Sequence, residues 1–155
     1  GVGAFGACMA ALERTGLDEQ ATAAAASGRP FLGICVGMQL LYGASEEDPG
    51  VAGLGILPGT VRRLPPGVKH PQMQWNVLCP EGEPAMLAGV DQPTWVYFVH
   101  SFAPEPGPGV VVTCDYGGPV VAGVERDNVW AMQFHPEKSG TAGQQLLANF
   151  LARLT

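Results

Sequence analysis

Cys35 stands at the centre of Gly33-Ile34-Cys35-Val36-Gly37, a G-x-nucleophile-x-G pattern with a thiol in the nucleophile's place. Further along, Phe134-His135-Pro136-Glu137 supplies an imidazole and a carboxylate two positions apart. A thiol, an imidazole and a carboxylate are the parts of a Cys-His-Glu triad, and the chemistry of such a triad is acyl transfer. The thiolate attacks a carbonyl. His135 takes the thiol proton and later returns it. Residues i and i+2 point the same way along an extended chain, and Pro136 favours that conformation at His135. Glu137 can therefore reach the far ring nitrogen, fix the tautomer and stabilise the imidazolium. The tetrahedral oxyanion needs N–H donors. The elbow geometry offers the N–H of Val36, just after the nucleophile. The glycine-rich stretch Gly1-Val2-Gly3 is the candidate for a second donor, at Val2 or Gly3. Plainer readings exist for each residue: an inert buried thiol, a structural histidine, a solvated carboxylate, a flexible chain end. The elbow context and the order of the groups favour the triad.

The elements around these residues are legible in outline. Pro30-Phe31-Leu32 leads into the elbow and Met38-Gln39-Leu40-Leu41 leads out, which reads as strand, sharp turn, helix. The strand is expected over Phe31–Ile34 and the helix over Val36–Tyr42. A thiolate at the N-terminal end of that helix gains from its dipole. Before the strand, Phe5–Ala11 suits a short helix. Leu17–Ala26 suits a longer one, alanine-rich with acids in its first turn and stopped by Ser27-Gly28-Arg29-Pro30. Beyond the polar loop Ser45–Gly50, strand candidates alternate with Gly/Pro turns: Leu54–Leu57, Thr60–Leu64, Gln74–Leu78, Thr94–Val99, Val110–Tyr116, Val120–Arg126 and Val129–Phe134. Gly117-Gly118 signals a hairpin. Leu146, Leu147, Phe150, Leu151 and Leu154 share one face of a C-terminal helix over Gly143–Leu154. This order predicts one domain over residues 1–155, an α/β sheet with an antiparallel extension.

Composition narrows the function classes. The chain has 155 residues, 46% hydrophobic and only 14% charged, against a usual charged fraction of about 25%. That suits a sheet covered on both faces, or surface buried against a partner. The net charge is -6 with no basic run, which argues against nucleic acid. No apolar stretch reaches the roughly 18 residues of a membrane span, and no basic leader region is visible. Cys8, Cys35, Cys79 and Cys114 contain no C-x-x-C pair, so neither a zinc site nor another metal or cofactor is expected. Their apolar contexts suggest reduced thiols in a cytosolic protein.

Taken together, Gly33-Ile34-Cys35-Val36-Gly37-Met38-Gln39 and Phe134-His135-Pro136-Glu137-Lys138-Ser139 resemble the class I (triad) glutamine amidotransferases, with their flavodoxin-like sheet. More narrowly they resemble the glutaminase subunits of imidazole glycerol phosphate synthases. Gly1-Val2-Gly3-Ala4-Phe5 is similar to that family's oxyanion segment. Pro71-Gln72-Met73-Gln74-Trp75-Asn76 is similar to its P-x-M-G-W-N element, and Val96–Phe102 to its Y-F-V-H-S-Y strand. The resemblance implies glutamine hydrolysis through a thioester on Cys35, with ammonia passed to a (β/α)₈-barrel cyclase subunit in histidine biosynthesis. It further implies glutamine binding by Gln39, His100, Ser101 and Phe102, the last three mainly through backbone. Trp75, Asn76, Tyr97 and Lys138 would face the cyclase, although Trp75 and Tyr97 could be core aromatics and Lys138 a solvated cation.

The chain departs from the family in three ways. Gln74 stands where glycine is usual, so a larger side chain must fit beside Trp75. Phe102 replaces tyrosine. Family members also begin about fifty residues earlier by resemblance, with central strands of the sheet. N-terminal sequence is therefore expected to be missing, leaving an apolar face uncovered and the Gly1–Gly3 segment untethered. Two rivals accompany the coupled glutaminase: a catalytically inactive subunit that only binds or regulates its partner, and a free-standing cysteine hydrolase.

Overall fold

A computed structural model describes residues 1–154. Two helices come first, α1 (Phe5–Thr15) and α2 (Leu17–Ala26), separated by Gly16 at φ 69°, a left-handed conformation that glycine adopts at little cost. Strand β1 (Phe31–Ile34) follows, then one helical turn, α3 (Val36–Gln39). The remaining strands are β2 (Ala44–Ser45), β3 (Thr60–Arg63), β4 (Gln72–Val77), β5 (Cys79–Pro80), β6 (Trp95–His100), β7 (Phe102–Pro104), β8 (Val110–Asp115), β9 (Pro119–Arg126) and β10 (Val129–Met132). Helix α4 (Gly140–Leu151) closes the order.

The main sheet runs β1-β10-β9-β8-β5. β1 pairs with β10 in parallel and the other neighbours are antiparallel. This is the expected α/β sheet with an antiparallel extension. A three-stranded sheet β2-β3-β7 and the ribbon β4-β6 stand beside it. All four residues of β10 are buried, and they alternate: Trp130 and Met132 pack on the side of α4, Val129 and Ala131 on the side of Met38, Leu41 and Ala25. A strand covered on both faces is what a lightly charged, apolar chain makes possible. The third cluster joins Phe5 and Met9 of α1 to Val36 and Leu40 beside the elbow.

Three expectations need correcting. The helix after Cys35 is one turn, not Val36–Tyr42. Beyond that turn, Leu40 and Leu41 stay buried and their carbonyls accept N–H bonds from Leu54 and Leu57. Residues 54–57 therefore satisfy that turn and form no strand. At the C-terminus Leu146 and Phe150 are buried, but Leu151 and Leu154 are exposed, because Gly143 brings α4 hard against Pro136 and only that side meets the sheet.

Candidate active site

The sharp turn at Cys35 is real and strained. The residue lies at φ 53° and ψ -115°, a region that costs a non-glycine residue about 1–3 kcal/mol. Gly33 makes room for it, since a Cβ there would come within 2.9 Å of the Gly37 carbonyl oxygen. Gly37 itself has open space where a Cβ would stand. Cys35 N–H donates to Met132 O at 2.7 Å, so the candidate nucleophile lies level with the end of β10. His135 emerges three residues further on, and its N–H donates to Tyr97 O at 2.9 Å. The Cys35 thiol reaches Val99 O, two residues along the same strand, at 3.9 Å. Parallel pairing of β1 with β10 thus brings two segments far apart in sequence to one end of the sheet, beside β6.

The second half of the expected triad comes together in the structure. His135 Nδ1 lies 2.6 Å from Glu137 Oε1. Pro136 opens a short 3₁₀ turn over Pro136–Lys138, so the carboxylate reaches the ring through a tight turn and not along an extended strand. His135 is buried, and its Nε2 has no hydrogen-bond partner among the described residues. A buried, unpartnered ring nitrogen opposite a carboxylate-bound one is the arrangement a general base requires. Glu137 is 47% exposed along its side chain. Burial works against its ionised form, but hydrogen bonds to His135 and to its own N–H, with the His135 charge, hold its carboxyl below the usual range.

Burial pushes the Cys35 thiol up, opposed by the Val36 N–H and assisted by the carboxylates of Glu137 and Glu47. One helical turn carries little macrodipole. The Val36 N–H, and not a long helix, is what the elbow offers the sulfur.

Gly3, Val36, Gln39, His100, Ser101 and Phe102 line a cavity of about 190 Å³ together with Cys35. Val2 is 80% exposed and does not line it. The Gly1–Gly3 segment is tethered, contrary to expectation. Gly1 N donates to Ile34 O at 3.1 Å, and the Cys8 thiol reaches Val2 O. The first N–H groups of α1 are capped from 42 residues away: Phe5 N–H by Glu47 Oε2 at 2.9 Å, Gly6 N–H by Asp48 Oδ2 at 2.7 Å. Glu47 also lines the cavity. In the sequence it is one more acid of a polar loop; its only signal is an acidic pair with no partner nearby in sequence.

Gln39 spends both amide hydrogens internally, on Phe102 O at 2.9 Å and Gln133 Oε1 at 3.0 Å. His100 Nδ1 meets the same Phe102 O at 2.8 Å, and its Nε2 meets the Gln72 side chain at 2.8 Å. Burial lowers the His100 pKa to about 4, so the ring is neutral at pH 7. A neutral ring donates from one nitrogen only, here to the carbonyl, which requires the Gln72 amide to turn its NH₂ toward Nε2. His100 therefore anchors Phe102 through its carbonyl, and its own ring is committed to the protein.

On the ribbon, Trp75 and Trp95 are about half exposed, and Met73 is more so. Trp75 meets Tyr97 edge-on across the strands, ring centroids 6.3 Å apart. Trp75 is therefore not a core aromatic. Gln74 is exposed and crowds nothing. Lys138 is exposed. Asn76 is engaged within the chain, donating to Asp115 O at 2.9 Å. Among the described residues no three His, Cys, Asp or Glu side chains gather as metal ligands, and no helix is long and apolar enough to cross a membrane. The four cysteines are free.

Residues 1–154 match the family model for glutamine amidotransferase class-I. The chain belongs to that family. The imidazole glycerol phosphate synthase subunit HisH of Methanothermobacter thermautotrophicus is 50% identical over 152 residues, covering 97% of this amidotransferase chain and 75% of the relative. The corresponding HisH subunit of Thermobifida fusca is 47% identical over 165 residues, covering 99% and 78%. A crystal structure of a glutamine amidotransferase superposes with a TM-score of 0.69 at 21% identity, covering 92% of this chain and 70% of its own. A glutamine amidotransferase from Thermotoga maritima superposes with a TM-score of 0.59 at 16% identity, covering 90% of this chain and 54% of its own. At these identities the two structures speak for the fold alone.

Proposed function

We propose that this amidotransferase domain is the glutaminase subunit of an imidazole glycerol phosphate synthase. It hydrolyses glutamine to glutamate and passes the ammonia to a cyclase subunit in histidine biosynthesis, in the cytoplasm. The observation that carries the chemistry is the strained Cys35 at the end of β1, next to the β10 exit that holds His135 and Glu137 at 2.6 Å. Support for the pathway comes from HisH relatives near 50% identity, matched over 97% of this chain and 75% of the relative.

The geometry supports the following steps. Glutamine enters the small cavity, where the Glu47 carboxylate suits an α-ammonium group. His135 Nε2 takes the Cys35 proton as Sγ bonds to the side-chain carbonyl carbon. The N–H groups of Val36 and of the Gly3 segment meet the oxyanion. His135 returns the proton to the departing nitrogen, the C–N bond breaks, and ammonia leaves a thioester. Water then attacks, its proton going to His135, and glutamate leaves as the C–S bond breaks and the thiol regains a proton. Glu137 stays ionised and holds the ring. Because burial keeps the resting sulfur protonated, the base acts as substrate arrives.

The test is glutamate release from glutamine by this chain mixed with its cyclase partner and the cyclase's nucleotide substrate, with Cys35→Ala as the blank. Turnover above the blank is expected. A chain that binds the cyclase yet shows no turnover is the inactive regulatory subunit instead.

A further inference from the structure

The Cys35 sulfur has a neighbour outside the triad. Gln133 follows β10 directly, is fully buried, and places its side-chain Nε2 3.8 Å from Cys35 Sγ. Its backbone N–H continues the ladder to Ala122 O at 2.9 Å, so the residue is held by the sheet and not by a loop.

The direction of its side-chain amide is fixed by elimination. The Phe102 carbonyl can only accept, so the Gln39 amide must turn its NH₂ toward it. The second hydrogen of that NH₂ then points to Gln133, which must answer with its oxygen, at 3.0 Å. Gln133 is left with its NH₂ toward the sulfur. A backbone carbonyl thus orients two glutamines in series, and the last donates to the reacting atom. Phe102 O is itself held a second time by His100 Nδ1 at 2.8 Å.

Granting that Cys35 is the nucleophile, we propose that Gln133 is a further catalytic residue: its side-chain N–H holds Sγ and favours the thiolate over the thiol. Beyond the Val36 N–H at the elbow, the sulfur lies between a side-chain donor, Gln133, and an acceptor, Val99 O at 3.9 Å. The thiol uses the acceptor. When the proton passes to His135 Nε2, the Val99 contact loses its hydrogen and the Gln133 N–H remains, now bonding an anion. A hydrogen bond to the charged form lowers its pKa. The donor is neutral, so it steadies the thiolate without competing with Glu137 for the imidazolium. Gln39 is the positioning residue for Gln133.

The experiment follows iodoacetamide alkylation of Cys35 against pH by mass spectrometry of its peptide, in the 155-residue chain with the cyclase subunit. Gln133→Met keeps the length and removes the donor. Its alkylation midpoint should rise by about one pH unit, a tenfold lower thiolate fraction near neutrality. Gln133→Asn withdraws the amide from the sulfur and should shift the midpoint the same way. An unchanged midpoint in whichever variant folds overturns the proposal. The unmodified chain gives a second reading: the Gln133 side-chain amide resonances should move with the Cys35 titration and stay still in Cys35→Ser. Resonances that ignore the titration also overturn it. Alkylation needs no glutamine, so the glutaminase reading fails separately, through absence of glutamate release by the wild-type chain.

Discussion

In the proposed mechanism three side chains carry the reaction in unequal shares. Cys35 forms the covalent bond, so Cys35→Ala should remove glutaminase activity to the blank while cyclase binding persists. His135 moves the proton twice, and positioned acid–base catalysis is worth about 10²–10⁴-fold. His135→Ala should lose at least that much kcat/KM. Glu137 only orients the ring, through one contact at 2.6 Å from a half-exposed carboxylate. Glu137→Gln should therefore cost less, on the order of 10²-fold, mostly in kcat. Steady-state kinetics on the three variants checks the ranking. A Glu137→Gln loss as large as that of His135→Ala would show that the carboxylate does more than orient. The proposed triad could be read from the sequence because each member sits in a local pattern of glycines or proline. Gln133 could not: its partner lies 98 residues away, and a glutamine ending an apolar strand has no local signature.

At the scale of elements, α4 sets the position of the His135 segment. Gly143 of α4 lies so close to the Pro136 carbonyl that a Cβ would overlap it and would also come within 2.9 Å of the Ser139 Cβ. Ser139 in turn closes the turn, its hydroxyl donating to His135 O at 2.6 Å and accepting from Tyr97 N–H at 3.0 Å. Gly143→Ala must push α4 off Pro136 or displace the Pro136–Lys138 turn. Overpacking of this kind costs about 1–3 kcal/mol, and the displaced imidazole should lower kcat by more than the unfolded fraction explains. Chemical denaturation with single-turnover kinetics separates the two effects; normal kcat in the folded protein would refute the coupling. The sequence placed α4 and marked Gly143 only as its start, since helical periodicity says nothing of what lies across the interface. The same limit explains the strand expected over 54–57. Its apolar residues are indeed buried or half-buried, but their N–H groups are spent on Leu40 and Leu41. By contrast α2 and β1 were legible to the residue, lying on either side of the breaker Ser27-Gly28-Arg29-Pro30, whereas β10 begins at Val129 as expected but ends at Met132 and not at Phe134.

Across the whole molecule, the ribbon β4-β6 joins the elbow to the surface. Its inner side carries His100 and Gln72, whose chain of contacts ends at the Phe102 carbonyl beside Gln39. With a folded pKa of about 4 against an ordinary 6.5, His100 is neutral in the fold while the unfolded chain protonates it between those values. The unfolded state binds the extra proton, so stability from this site is full above pH 6.5 and lost as pH falls through 4, by about 3 kcal/mol. Urea midpoints of wild type and His100→Gln should converge toward acid pH; parallel curves would deny the assignment. The outer side carries Trp75 at 48% exposed, with Met73 and Trp95 beside it. The edge contact with Tyr97 at 6.3 Å holds the Trp75 ring in place before any partner arrives. A pre-oriented, exposed tryptophan flanked by apolar side chains is what interface hot spots are made of, worth about 2 kcal/mol or more on truncation. Trp75→Ala should raise the Kd for the cyclase by a factor of about thirty or more and leave the melting temperature of the free chain nearly unchanged. Gln74→Ala, on the neighbouring exposed position, should do neither. Titration calorimetry with the two variants decides it, because a Trp75→Ala chain that still binds the cyclase with wild-type affinity would move the docking face off this ribbon altogether.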